Sequence, residues 1–146
     1  MKPPANPGHS GQPSPEALRR AKESWKQCLA DIKAAASHLK KGDGVRASFL
    51  CLQGGANALG MVCRLNGHTY VPLVSPQDMV TMCADIDPRF TPLQGGLAAL
   101  EQAMSINPFS LAAAPPAAEE CLREARQIVD TVREYLHQHR DQLFKP

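Results

Sequence analysis

The chain has 146 residues, one domain's worth, with 43% hydrophobic and 21% charged residues, the composition of an ordinary folded protein with one core. Its 16 basic and 14 acidic residues leave a formal net charge of +2, too balanced for nucleic-acid binding by bulk charge, and aromatic residues are only 5%, too few for base-stacking platforms. No apolar run approaches the length of about 18 residues that a membrane helix requires.

Residues 1–13 are rich in proline and glycine without an apolar core. They read as a disordered tail rather than a signal peptide. The first helix opens at Ser14, a capping residue, followed by Pro15 at the first helical position. Leu18, Ala21, Trp25, Cys28, Leu29, Ile32, Ala35 and Leu39 recur at steps of three and four and form one apolar stripe. Lys40, Lys41 and Gly42 end this helix, which is about 40 Å long.

A second helix is expected over 45–65. It is apolar nearly all round, through Phe49, Leu50, Leu52, Ala58, Leu59, Met61 and Val62, so it belongs at the centre of a bundle. Both Leu52 and Leu59 are expected in the core. The pair Gly54 and Gly55 costs helix propensity and indicates close approach of a neighbouring helix or of a second subunit. Asn66 and Gly67 stop the helix, and 68–72 is an irregular connector. A third, short helix starts at Ser75 and Pro76 with a capping-box pattern and breaks at Asp87 and Pro88. A fourth starts at Thr91 and Pro92, with Leu93, Leu97, Leu100 and Met104 as its stripe. Residues 107–116 form a loop. The last helix spans about 117–143, with Glu119 and Glu120 on its first turn. The fold expected is all-α: a single bundle of four to five helices over 14–146.

Five cysteines are present: Cys28, Cys51, Cys63, Cys83 and Cys121. Their number is odd and no C-x-x-C occurs, which argues against a disulfide framework or a zinc site. They read as reduced thiols packed as small hydrophobes, consistent with a cytoplasmic protein. No cofactor and no metal site is expected.

The order of elements resembles the HEPN family (higher eukaryotes and prokaryotes nucleotide-binding). Three stretches carry the likeness. FLCLQGGANALG at 49–60 fits the family's second helix, Gly67 its glycine turn and SPQDM at 75–79 its short helix. AEECLREA at 118–125 with IVDTVR at 128–133 fits its final helix. The likeness covers most of residues 15–140. It implies a HEPN-like bundle acting as a homodimer, and a minimal nucleotidyltransferase as partner. It also leaves a nucleotide or nucleic acid as candidate ligand. Ribonuclease members of the superfamily rely on an arginine and a histidine separated by four to six residues. Such a pair would stabilise a phosphate and move a proton. This chain has Ala56, Asn57 and Gly60 where the family carries polar residues, and 106–109 (INPF) lacks the arginine often found before the final helix.

The leading reading is therefore a non-catalytic interaction domain. The alternative is a metal-independent ribonuclease of the toxin type using Arg133 and His139, which have five residues between them. Six steps along a helix turn through about 600° and put these side chains on different sides. They would meet only through a bend or across a dimer. Arg64 and His68 are spaced more closely, but Gly67 interrupts them and His68 reads as a connector residue. A third reading is a histidine phosphotransfer module with His38 as phosphoacceptor, since lysine and glycine follow it as Lys41 and Gly42. Gly42, however, has the look of a helix terminator. The basic residues of the first helix, among them Arg19, Arg20, Lys22, Lys26 and Lys33, are interrupted by Glu16, Glu23 and Asp31 and read as a solvated face.

Overall fold

The computed structural model describes residues 14–67, 75–104 and 115–139. They form five α-helices and one 3-10 helix: α1 Pro15–Lys40, α2 Gly44–Leu65, α3 Pro76–Ile86, the 3-10 helix Pro88–Leu93, α4 Ala98–Met104 and α5 Pro115–His139. No strand occurs among the described residues, and none of these helices is long and apolar enough to cross a membrane. The tail at 1–13, the connector at 68–72 with His68, and the stretch 106–109 lie outside the described residues.

The helix boundaries follow local chemistry. Ser14 accepts a hydrogen bond from the Ala17 amide at 3.1 Å, and Gly42 ends α1 at a φ of +82°, where only glycine is unstrained. Asp43 then caps α2 through the Arg46 amide, 3.1 Å away, so the turn between the two long helices is only three residues, 41–43. Ser75 caps α3 through the Asp78 amide.

Two boundaries differ from expectation. Residues 91–94 do not open a helix. Pro92 lies inside a 3-10 turn that Gln94 ends, and Gly95 with φ +77° redirects the chain before α4 begins at Ala98. Proline fits the first helical position, but here the glycine pair downstream prevents propagation. At the other end of the chain, α5 begins at Pro115, inside the stretch read as loop. Proline lacks the amide hydrogen that the first turn would leave unused. Glu119 and Glu120 consequently sit one turn further in, and Glu120 pairs with Arg123 at 2.8 Å. Residues 140–143 lie outside the described residues.

Helix α2 touches all four other α-helices and forms the axis of the bundle. Leu59, Met61, Val62, Cys63 and Ala58 are buried along it. Leu52, by contrast, is only partly buried. The two glycines of α2 are consumed inside the chain. A Cβ on Gly54 would stand 2.9 Å from the Ile32 terminal methyl and 3.3 Å from the Cys28 carbonyl oxygen, both on α1. One on Gly55 would stand 3.1 Å from Ile128 of α5. Close approach of neighbouring helices thus explains both, with no second subunit needed. Gly54→Val should destabilise the fold by about 2 kcal/mol, since the backbone carbonyl cannot move aside as a side chain can. A chemical-denaturation midpoint equal to the parent's would show that α1 does not sit this close.

Candidate functional site

Helix α5 carries the residues of the ribonuclease reading and turns them toward different neighbours. Val132 and Leu136 face the core and are fully buried. Arg133 is exposed on the side facing α1. Its guanidinium lies 5.6 Å from the centre of the Trp25 ring and 3.2 Å from Asp130. His139 lies on the last turn, where its Nε2 approaches Asp87 Oδ2 at 3.0 Å and its ring stacks on Tyr135 at 4.8 Å. Asp87 is the junction between α3 and the 3-10 helix. Among the described residues α1 touches neither of those elements, so the fold does not bring Arg133 and His139 together within one chain.

The surroundings of His139 form a connected polar cluster that sequence reading did not anticipate. Asp87 accepts the Arg89 amide on its other oxygen at 2.8 Å, and Arg89 donates to Gln138. Asn66 donates to the Tyr135 hydroxyl at 2.7 Å and to the Val62 carbonyl at 2.8 Å. The cluster ties the end of α2 and the α3 corner to the last turns of α5. Its members come from 66, 87–89 and 135–139, too far apart in sequence for any local pattern to associate them.

His38 lies on the last turn of α1, half-buried. Its carbonyl accepts the Lys41 and Asp43 amides at 3.1 and 2.9 Å, so the helix is already closing at this residue. The basic residues Arg19, Arg20, Lys22, Lys26 and Lys33 are exposed. Arg19 and Arg20 are bound to Glu16, at 2.6 and 3.0 Å, and Arg19 also to Glu23. A cavity of about 210 Å³ opens between the start of α1 and the end of α2, lined by Glu16, Arg20, Ala21, Met61, Arg64 and Leu65 among others.

Among the described residues two carboxylates are buried. Asp31 on α1 accepts from Gln27 at 2.8 Å and from Gln53 of α2 at 3.0 Å. Glu124 on α5 accepts the Ala99 and Leu100 amides at 3.1 and 2.9 Å. It thereby caps α4 from a different helix. Both acids interrupt apolar stripes, Asp31 three residues after Cys28 and Glu124 four before Ile128. A charge at such a position is the available sequence signal for a buried polar contact.

All five cysteines are free and buried. Burial pushes the Cys28 and Cys51 thiols up to about 12, with nearby Asp31 adding to the effect at Cys28. Burial also raises Cys121. Among the described residues no group of three or more His, Cys, Asp or Glu side chains is placed to hold a metal ion.

No protein-family model, curated protein or solved structure matches the chain.

Proposed function

We propose that the chain is a non-catalytic, HEPN-like helical interaction domain, working as a homodimer with a minimal nucleotidyltransferase as its class of partner. The observation that carries the non-catalytic reading is the separate engagement of Arg133 and His139. Arg133 sits over Trp25 and beside Asp130, and His139 sits against Asp87 and Tyr135. A ribonuclease needs one group that neutralises the phosphate and another that moves the proton, both at a single scissile bond. Within one chain these two side chains serve different helix contacts.

The test incubates purified protein with single-stranded RNA in the absence of metal, alongside Arg133→Ala and His139→Ala. No cleavage is expected from any of the three. Cleavage by the parent that both variants lose would replace this reading with the toxin-type ribonuclease, its site assembled across a dimer axis. Light scattering at high micromolar concentration should give the mass of a dimer, and a monomer mass would remove that part of the proposal.

A further inference from the structure

Two of the five buried thiols are in direct sulfur–sulfur contact. Cys63 stands near the end of α2 and Cys83 near the end of α3, and their sulfurs are 3.8 Å apart. The Cys83 thiol also lies 3.5 Å from the Leu59 carbonyl oxygen, one turn before Cys63 on α2. Cys83 is thus set into α2 between one carbonyl and one sulfur. We propose that Cys63 and Cys83 are an oxidisable dithiol, which a hydroperoxide converts to a disulfide that staples α3 to α2.

The surroundings of the two sulfurs set the proposed order of reaction. Cys83 donates its single S–H to the Leu59 carbonyl oxygen, which favours its protonated form, whereas the nearby Arg64 guanidinium favours the thiolate of Cys63. Contact with Cys63 and burial both raise Cys83. Burial raises Cys28, Cys51 and Cys121 as well, so of the touching pair Cys63, whose partner's proton is held by a carbonyl, is the sulfur that attacks first, as its nucleophilic thiolate.

In the first step the Cys63 thiolate attacks a peroxide oxygen. The O–O bond breaks, an alcohol or water leaves after taking up a proton, and Cys63 becomes a sulfenic acid. In the second, the Cys83 sulfur attacks the Cys63 sulfur. The S–O bond breaks and water leaves with the Cys83 proton. Two thiols lose two electrons and two hydrogens, and one hydroperoxide is reduced to an alcohol (or water) and a further water. The sulfurs must close from 3.8 Å to about 2.05 Å. Both sulfurs are fully buried, which selects for an oxidant as small as hydrogen peroxide over bulky disulfides.

The experiment treats the reduced full chain with hydrogen peroxide under native conditions. The intact mass should fall by two hydrogens, and a non-reducing peptide map should join the peptides that contain Cys63 and Cys83. Dithiothreitol should reverse both changes. The link spans 20 positions, and the oxidised protein should melt about 5–10 °C higher than the reduced one. Cys83→Ser should stop at a sulfenic acid on Cys63, captured by dimedone, whereas Cys63→Ser should give neither product at Cys83. Cys63→Ala replaces that variant if the serine does not fold. The proposal is overturned if folded parent protein keeps both thiols, if another pair is linked, or if dimedone labels the five cysteines alike.

Discussion

Leu59→Asp is expected to abolish the cooperative thermal transition. Leu59 is fully buried on α2, the helix that touches all the other α-helices. The substitution removes the transfer energy of a leucine and places an unpaired carboxylate where water cannot reach it. The combined cost exceeds about 5 kcal/mol, comparable to the whole stability of a typical domain. Leu52→Asp is the informative comparison. Leu52 is on the same helix but only partly buried, so its carboxylate keeps contact with solvent and the protein should still melt cooperatively at a lower temperature. Calorimetry on both variants checks this. If Leu59→Asp melts like the parent, α2 does not form the axis of the bundle.

Glu124→Ala is expected to cost about 3 kcal/mol, the second largest effect. Glu124 is 3% exposed, and its two oxygens accept the Ala99 and Leu100 amides at the start of α4. Removing it leaves the buried Leu100 amide and the part-buried Ala99 amide without their acceptor, at about 1–3 kcal/mol for a buried one before relaxation, and takes the cap from a helix of only seven residues. Glu124→Gln keeps one acceptor oxygen and should recover a good part of the loss. Hydrogen exchange resolves the origin of the effect: amides of α4 should lose protection first while those of α2 keep it. Uniform loss of protection would show that Glu124 supports the whole core rather than one helix.

The long helices were legible because their signals are local. The stripe on α1, the capping serine at its start and Gly42 at its end predict Pro15–Lys40, and the structure has those bounds. The near-continuous apolar composition of α2 likewise placed it at the centre. Short elements were harder. A proline start at Pro92 and a loop ending at 116 were both reasonable locally. The outcome there depended on the glycine pair at Gly95 and Gly96 and on where α5 could begin, and several residue patterns satisfy such conditions equally well.

The candidate site was less legible. Arg133 and His139 could be found by their spacing, and helical geometry already sets their side chains apart. Their actual neighbours could not be found that way. Trp25 is more than a hundred positions from Arg133, and Asp87 more than fifty from His139. The same holds for Asn66 with Tyr135, for Glu124 with the start of α4, and for Cys63 with Cys83.

The sequence by itself determined that this protein is all-α, where its long helices run and which of them is central. Hydrophobic periodicity and end-capping act over a turn or two of chain, and are written in residues that are neighbours. Only the tertiary structure decided that Gly54 and Gly55 serve the contacts of α1 and α5, that Asp31 and Glu124 are satisfied in the interior, and which two of five similar cysteines meet. Each of those outcomes depends on the angle and offset at which two helices pack. Packing angle and offset are settled by the fit of all the side chains at once, and no single residue or spacing carries them.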